Sequence, residues 1–417
     1  MLYQDSVICI NHLFRRKHMS VYHPSRRSLT PLYCLHQAVY FFAMAGIGAF
    51  AVTYLISRGF GAAQIGVMLA ATNILSCLLQ PMIGSHADKT SLAWLQKIIP
   101  GFMIIAIGAV AAIELLALPK AFTGVLYILG YLTFSITIPL YNPLCAHYTR
   151  NGFSVDYGAG SGTGSLSFSF ASLAFGYIIA HLGTRAMMLV VLFCFALQLL
   201  LMTRYPRIQP AAHGNLQNSQ TTESLSILAF ARRYRLFMVT MAGVVCLAAC
   251  HAMAENFLIQ LFTRIGGGSE HVGVALFLAC ITAAPFMIFF ERIQRRIGVR
   301  ILLRLTGFFY IAKAVLLIFA PSIPAIYLIE LLQTCTYGFL YPSLYYLVLQ
   351  RVHAADMAKG QTLASSMFTL GIALGNSLGG VALECFGLNI MLVLAACIAC
   401  IGTTLINLTI AGSDRQP

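Results

Sequence analysis

The sequence has few charged residues: Asp, Glu, Lys and Arg together make up 9% of its 417 residues, whereas hydrophobic residues make up 59%. Acidic residues are the scarcest, with 12 Asp and Glu against 26 Lys and Arg. A chain with a mean hydropathy of +0.82 has too few polar side chains to cover a water-soluble surface. Soluble enzymes and soluble binding modules are therefore excluded, and the composition indicates a polytopic membrane protein.

Several chemical signatures are also missing from the sequence. It contains no GxxxxGK[ST] phosphate-binding loop, so we expect no direct ATP hydrolysis. Most of the 12 cysteines lie singly in apolar stretches, where a thiol behaves as a small hydrophobic group, and no disulfide framework is implied. Cys397 and Cys400 form a lone CxxC pair without a second pair of ligands. We therefore predict no metal site, no cofactor and no enzymatic activity.

Apolar stretches of about 20 residues, long enough for a helix to cross ~30 Å of hydrocarbon, recur along the chain. They are about twice as long as a barrel strand, so they predict helices. The twelve predicted spans, numbered 1 to 12 below, are residues 33 to 56, 63 to 86, 97 to 117, 121 to 146, 158 to 181, 186 to 203, 236 to 262, 271 to 290, 300 to 320, 324 to 349, 360 to 385 and 389 to 411.

The basic residues would suggest nucleic-acid binding in a soluble protein, but here most of them lie in every second loop. By the positive-inside rule this pattern places both termini in the cytoplasm and gives no reason to expect nucleic-acid binding. The predicted organisation is a cytoplasmic basic tail (1–32), a six-helix half (33–203), a polar cytoplasmic linker (204–235), a second six-helix half (236–411) and a short cytoplasmic tail (412–417).

The two halves resemble each other when the sequence is shifted by 206 to 207 residues. Arg58 then meets Arg264, and the pair Asp88-Lys89 meets Arg295-Arg296. These matches predict an all-α membrane protein with twelve transmembrane helices in two six-helix pseudo-repeats. In such an architecture one half rocks against the other around a site near the midplane of the bilayer.

The segment GSHADK after span 2 resembles the loop motif G-x-x-x-D-[RK]-x-G-[RK] of the major facilitator superfamily, although the trailing Gly and basic residue are missing. The matching segment of the second half, RRIGVR, keeps the basic-x-Gly-x-basic part and lacks the acid. The resemblance implies a charge latch at a cytoplasmic gate; a solvated loop that fixes topology is the alternative. The gate residues would be Gly84, Asp88, Lys89, Arg295 and Arg296.

Within that superfamily the order of elements is most similar to the lactose-permease-related proton symporters and sugar efflux proteins. Ser161 and Phe168 stand where that group carries Arg and a stacking Trp, and Gln333 and Thr336 stand where it carries His and Glu. Its helix 9 Arg appears as Lys313. The resemblance therefore implies a secondary transporter but not galactoside recognition, and any proton route must differ.

Ionisable side chains within spans cost about 2.5 to 3.5 kcal/mol each at a helix centre, so each needs a partner or an aqueous cavity. Lys313 in span 9 and Glu330 in span 10 lie at similar depth on two helices of one hairpin, which favours an ion pair. Glu255 in span 7 lies at the same depth, with His251 one turn away on the same face. We predict that these four residues couple transport to protons, with Glu255 as proton acceptor; a purely structural ion pair is the alternative.

Polar side chains on the spans that line the cavity in this superfamily predict a solute-binding surface, although they also satisfy neighbouring helices. Hydroxyl and amide groups suit a neutral solute. Glu114 and Glu384 lie near span ends and are expected to reach water. The predicted binding residues are His36, Asn73, Tyr141, Asn142, Asn256, Gln260, Gln333, Tyr337 and Asn376. Gln80, Thr336 and Tyr341 are further polar side chains of the same predicted surface.

These observations predict a secondary active transporter that moves a small organic solute, sugar-like or nucleoside-like, by alternating access with proton coupling. Its partners would be the solute, protons and the lipid bilayer, and we expect a monomer in a cell membrane, the inner membrane of a bacterium. Two alternatives remain open: a drug or sugar efflux antiporter, and a sensor that binds a ligand without moving it.

Overall fold

The structure, a computed structural model, describes residues 28 to 89, 91 to 207, 227 to 353 and 356 to 413. Most of the predicted basic tail (1–32) and most of the predicted linker (204–235) lie outside these residues. Within them the chain is helical, and the single β-pairing is an isolated bridge between Ser28 and Ser154. The predicted all-α fold class is confirmed.

The helices of the first half follow the predicted spans closely, with span 1 and span 4 each divided. Span 1 consists of Thr30–Met44, the π-turn Ala45–Ala49 and Ala51–Ser57, span 2 is Ala62–Lys89, and span 3 is Leu92–Leu115. Span 4 consists of Lys120–Ile136 and Ile138–Arg150, and the continuous segment Tyr157–Thr203 holds both span 5 and span 6.

The second half begins with a short helix, Ile227–Arg233, at the end of the linker. Span 7 consists of Arg235–Asn256 and Leu258–Arg264, span 8 of Ser269–Ile288 and Phe290–Ile297, and span 9 is Val299–Ile318. Span 10 consists of Ile323–Glu330, the 3-10 turn Leu331–Thr334 and Tyr337–Arg351, span 11 is Met357–Phe386, and span 12 is Leu388–Ser413.

Eleven of the described helices are long and apolar enough to cross a membrane, and one of them, Gly158–Thr203, has 46 residues. A straight helix of that length would be about 69 Å long, more than twice the thickness of the hydrocarbon core. The backbone leaves helical geometry at Gly183, where φ is 81° and ψ is 171°. This segment therefore crosses twice, and the prediction of twelve transmembrane helices is confirmed.

The pseudo-repeat is visible in the backbone as interruptions at matching positions. Phe50 and Phe257, 207 residues apart, both leave helical geometry, with φ/ψ of −95°/15° and −100°/20°. Gly59 and Gly266, also 207 residues apart, both end the first span of a half with a positive φ, 82° and 79°. Side chains other than glycine rarely adopt that conformation. The two halves are thus built on the same helical plan.

The halves touch at the face of the molecule opposite the two termini, where span 2 begins and span 11 ends. A methyl group on Gly66 of span 2 would lie 3.1 Å from the Cα of Gly380 in span 11. A methyl group on Gly176 of span 5 would lie 2.9 Å from the Cα of Gly273 in span 8. Because glycine lacks that group, the helix backbones meet directly, and the structure is closed at this face.

Glu384 adds a polar contact between the halves at the same face. Its Oε2 accepts a hydrogen bond of 2.7 Å from the backbone N–H of Ala63, in the first turn of span 2. A carboxylate at a helix N-terminus interacts favourably with the helix dipole. Glu384 is exposed, as expected for a residue near a span end, and it also joins span 11 to the first half.

The end of the linker is attached to the second half. The Tyr234 hydroxyl donates a hydrogen bond of 2.8 Å to Asp356 Oδ2, and Arg233 Nη1 lies 3.7 Å from the same oxygen. Asp356 stands at the start of span 11, so the chain leaving the linker is tied to that span.

Replacing Gly380 by Leu should open the face opposite the termini, because the new side chain needs space that the span 2 backbone occupies. Spin labels at positions 121 and 386, in a background without native cysteines, should move apart. Gly101→Leu is the matched control, since a Cβ at Gly101 would meet nothing within 4 Å. An unchanged label distance in Gly380→Leu would show that these glycines do not hold the halves together.

Candidate functional site

A buried lysine of span 9 joins three spans of the second half. Lys313 Nζ donates hydrogen bonds to Glu255 Oε1 of span 7, to Glu330 Oε2 of span 10 at 2.8 Å and to Gln333 Oε1 at 3.0 Å. The side chains of Lys313, Glu255 and Glu330 are 3%, 9% and 1% exposed. We call these four residues the ion cluster.

The ion cluster forms where the helices of two spans are interrupted. Glu255 and Asn256 end the helix Arg235–Asn256, and Glu330 ends the helix Ile323–Glu330. The 3-10 turn that follows carries Gln333. Interrupted helices place backbone groups and polar side chains together at membrane depth, which is where transporters of the repeat type bind ions and solutes.

The formal charge of the ion cluster is unbalanced. One ammonium faces two carboxylates, so the cluster carries a net negative charge when both acids are ionised and none when one of them holds a proton. In a low-dielectric interior an unbalanced charge is costly, and a group in such a site gains or loses a proton to remove it. The cluster thus contains one carboxylate more than a single lysine can neutralise.

Glu255 is the more accessible of the two acids. It lines a narrow crevice between spans 7 and 9, too small to hold a water molecule, together with His251, Tyr310 and Lys313. Glu330 lies deeper, and its Oε1 has no hydrogen-bond partner among the described residues. His251 lies one turn from Glu255, and its ring stacks on Tyr337 at 5.3 Å. The four residues predicted to couple protons therefore lie together.

Two amides join span 7 to span 11 beside the ion cluster. Asn256 Nδ2 donates a hydrogen bond of 2.5 Å to Asn376 Oδ1. Asn376 is 1% exposed, and its own Nδ2 has no partner among the described residues. Gln260 lies one turn beyond Asn256, on the next segment of span 7, and is partly exposed. These amides offer donors and acceptors for a hydroxyl-bearing solute.

The binding residues predicted in the first half do not join this group. His36 and Tyr141 are buried and bonded to each other, with His36 Nε2 2.7 Å from the Tyr141 hydroxyl. Asn73 Nδ2 donates to the backbone of Leu69 in its own helix, and Gln80 Nε2 donates to the Ser135 carbonyl. The side chain of Asn142 lies outside the described part of the chain.

The predicted gate loop of the first half is helical instead. The span 2 helix continues through Pro81 to Lys89, so Gly84, Asp88 and Lys89 occupy its last turns. The side chains of Asp88 and Lys89 lie outside the described part. In the second half Arg295 and Arg296 lie in the last turn of Phe290–Ile297, and Arg295 Nη2 lies 2.5 Å from Glu291 Oε1.

Glu114 does not reach water, which corrects the expectation from its position near a span end. Its side chain is fully buried and lies 2.5 Å from Arg58 Nη2. The Tyr54 hydroxyl donates a hydrogen bond of 2.7 Å to Glu114 Oε1. The ion pair of Arg58 and Glu114 was not predicted from the sequence because it joins span 3 to the end of span 1. Tyr54 and Arg58 are four residues apart and so lie on one face of a helix, a signal that could have indicated a shared polar partner.

The comparisons with known proteins identify the family of this chain. A model described as the MFS_1 like family matches residues 33–393. The chain belongs to this family. It is therefore a multi-pass membrane transporter of the major facilitator type rather than an enzyme, and the resemblance noted at GSHADK is confirmed at the level of the superfamily.

Two curated relatives of this major facilitator protein cover most of its length. The maltose permease of Geobacillus stearothermophilus is 27% identical over 367 residues, which are 85% of each chain. The uncharacterized transporter YwbF of Bacillus subtilis (strain 168) is 24% identical over 360 residues, 83% of this chain and 84% of its own. Both names describe transporters.

Solved structures of transporters have the same fold. The nucleoside transporter NupG superposes with a TM-score of 0.78 at 16% identity, covering 93% of this chain and 100% of its own. A bacterial homologue of the human lysosomal transporter Spinster, in an inward-facing and occupied conformation, superposes with a TM-score of 0.69 at 13% identity, covering 93% and 97%. At these identities the similarity establishes the fold alone.

Lys313→Gln should destabilise the protein by roughly 3 to 5 kcal/mol, because it leaves two buried carboxylates without a cation. Melting temperature in detergent measures the effect, and replacing both glutamates by Gln in the same chain should recover most of the loss.

Lys120→Gln is the matched control for this variant, since it removes the charge of an exposed lysine that lies 5.1 Å from the ring of Phe60. Equal melting temperatures for Lys313→Gln and Lys120→Gln would contradict the buried-charge account.

Proposed function

We propose that this transporter moves a small, neutral, hydrogen-bonding solute, sugar-like or nucleoside-like, across the membrane by alternating access, and that the ion cluster couples the movement to protons. The observation that carries the proposal is Lys313 held between Glu255 and Glu330 in a nearly solvent-free site. A permanent structural ion pair needs one carboxylate, whereas the second carboxylate gives the site room for a proton.

The relatives support the chemical class of solute. Maltose permease and the nucleoside transporter NupG are named for uncharged solutes rich in hydroxyl groups. In this chain the polar groups next to the ion cluster are the amides of Asn256, Gln260 and Asn376. Amides suit such neutral solutes better than they suit an ionic substrate. The three N–H groups of Lys313 are all engaged within the ion cluster, so this cluster suits the coupling ion rather than the solute.

Glu255 is the proton-exchanging acid in this proposal, and Glu330 is the fixed counter-ion of Lys313. Glu255 lines the crevice between spans 7 and 9, so a small movement of span 7 changes its access to water. When Glu255 holds a proton, the cluster is neutral and the halves can change state without moving an unbalanced charge through a low-dielectric environment. When Glu255 releases the proton, the cluster regains its negative charge.

The two halves, 33–203 and 236–411, are the bodies that rock in this proposal. The basic residues favour cytoplasmic termini, and the glycine contacts close the opposite face. The state described above is then the inward-facing one, in a protein of the cell membrane that works as a monomer. Opening the other face requires separation of Gly66 from Gly380, separation of Gly176 from Gly273, and release of the Glu384 cap on span 2.

Glu255→Gln should abolish accumulation of solute driven by a pH gradient and leave solute exchange at equal concentrations largely intact. The reason is that the variant holds Lys313 and Glu330 as a neutral pair with no site for a proton. Uptake into proteoliposomes with and without a pH gradient, and counterflow with labelled solute inside, measure the two activities.

Glu114→Gln is the matched control, because Glu114 is also a buried, ion-paired acid but lies outside the ion cluster. It should keep uphill uptake. Uphill uptake by Glu255→Gln at the rate of the unmodified protein would remove Glu255 from coupling, and binding without any counterflow would identify the protein as a sensor.

A further inference from the structure

Three buried polar atoms around the ion cluster have no hydrogen-bond partner among the described residues. They are His251 Nδ1, the hydroxyl oxygen of Tyr310 and Glu330 Oε1. Thr336 of span 10 comes near the Tyr310 hydroxyl without forming a hydrogen bond to it. Buried polar atoms are nearly always paired, so three unpaired atoms around one site require a physical explanation.

Two of these atoms lie one helical turn from the contact between Glu255 and Lys313. His251 precedes Glu255 by four residues on span 7, and Tyr310 precedes Lys313 by three on span 9. Both spans begin at the face of the molecule that carries the termini, so His251 and Tyr310 are the nearer to that face. Their ring centroids are 6.1 Å apart. We call His251 and Tyr310 the receiving pair.

The receiving pair and the ionic contact line the same crevice between spans 7 and 9. The crevice is too narrow for a water molecule, so a partner for the two unpaired atoms has to come from a side chain that lines it. Among the lining residues, Glu255 and Lys313 carry the polar groups outside the receiving pair that form strong hydrogen bonds. Lys313 is a donor only, and it is already held by Glu330 and Gln333.

A protonated Glu255 has the chemistry that the receiving pair lacks. Its O–H can donate to His251 Nδ1 when the imidazole carries its hydrogen on Nε2, and its carbonyl oxygen can accept from the Tyr310 hydroxyl. The N–H that Lys313 then loses can be donated to Glu330 Oε1, the second oxygen of a carboxylate that it already contacts at 2.8 Å. One displacement of Glu255 therefore supplies a partner for all three unpaired atoms.

We infer that Glu255 has two positions, one on Lys313 when it is ionised and one on the receiving pair when it is protonated. Tyr310 is then a further residue of the coupling site. The inference rests on the proposed function and places its proton. A proton from water adds to the Glu255 carboxylate, the ionic contact with Lys313 breaks, and hydrogen bonds to His251 and Tyr310 form. Loss of the proton reverses each of these changes.

Several titratable groups face Glu255 from the spans packed around it. Among them, the members of the receiving pair are the two that line the crevice and carry a nitrogen or oxygen without a partner in the described chain. The groups are Cys250 and His251 of span 7, Tyr310 and Lys313 of span 9, Glu330 of span 10 and Cys280 of span 8.

The first experiment compares Tyr310→Phe in two backgrounds by melting temperature in mildly alkaline detergent solution. Glu255→Gln carries a neutral side chain with the donor and acceptor that the receiving pair needs, so Tyr310→Phe should lower its melting temperature by about 1 to 3 °C. In the unmodified protein Glu255 is ionised and bound to Lys313. The same substitution there removes an unpaired hydroxyl, so it should leave the melting temperature unchanged or raise it.

Tyr127→Phe is the matched control for this comparison. Tyr127 is fully buried, and its hydroxyl donates a hydrogen bond of 2.5 Å to the Ile47 carbonyl, outside the ion cluster. Its substitution should change the melting temperature equally in the two backgrounds. An equal effect of Tyr310→Phe in both backgrounds would overturn the inference, because a purely structural role does not depend on the charge of residue 255.

The second experiment records the C=O stretch of the buried carboxylic acid by infrared difference spectroscopy on acidification. A carbonyl that loses a hydrogen-bond donor absorbs at higher wavenumber, so the band should shift upward in Tyr310→Phe and stay in place in Tyr127→Phe. A band at the same wavenumber in Tyr310→Phe and in the unmodified protein contradicts the second position of Glu255.

The outcomes separate this inference from the proposed function. A Tyr310→Phe effect confined to the Glu255→Gln background, with no accumulation of solute driven by a pH gradient in the unmodified protein, supports the second position and overturns proton coupling. Such accumulation, together with equal effects of Tyr310→Phe in both backgrounds, overturns the second position and leaves proton coupling standing.

Discussion

The charge of Lys313 is the constraint around which the second half is arranged. An ammonium inside a bilayer-spanning bundle is tolerated only with partners close by, and three side chains from spans 7 and 10 supply them. Those partners lie where their helices are interrupted, so the breaks in spans 7 and 10 and the burial of the lysine depend on each other. Removing the cation would leave the chain with interrupted helices around unbalanced acids.

The same contacts connect the ion cluster to the contact between the halves. Span 7 carries Glu255 and Asn256, and Asn256 is bonded to Asn376 of span 11. Span 11 in turn meets span 2 of the first half at Gly380 and Glu384. A change in the charge of the ion cluster therefore acts on a helix that is connected, through one amide pair, to the contact between the halves. In the proposed mechanism, this continuity is the physical route by which one bound proton would bias two states of the whole molecule.

Much of the fold could be predicted from the sequence because a bilayer imposes a fixed length and polarity on each span. The repeat was detectable because Arg58 and Arg264 stand at matching places after the first span of each half, and the structure places them beside Gly59 and Gly266, whose positive φ few other residues adopt. The depth of Lys313 and Glu330 on one hairpin also predicted their contact, which the structure contains at 2.8 Å.

Side-chain partners between distant spans were less predictable. Gln333 was expected to face solute, yet its oxygen accepts from Lys313, because the 3-10 turn rotates it toward span 9. Glu114 was expected in water, yet the end of span 1 covers it with Arg58 and Tyr54. His36 lies on the correct span for a cavity residue but is 0% exposed. Each of these depends on helix rotation, which the apolar pattern of a membrane span leaves nearly undetermined.

The central claim is that the ion cluster holds one exchangeable proton on Glu255. Infrared difference spectroscopy of the purified protein during acidification, without solute, tests it directly through the C=O stretch of a buried carboxylic acid. The account predicts one such band in the unmodified protein and in Glu114→Gln, and its loss in Glu255→Gln. Absence of the band in the unmodified protein, or its persistence in Glu255→Gln, would contradict the account.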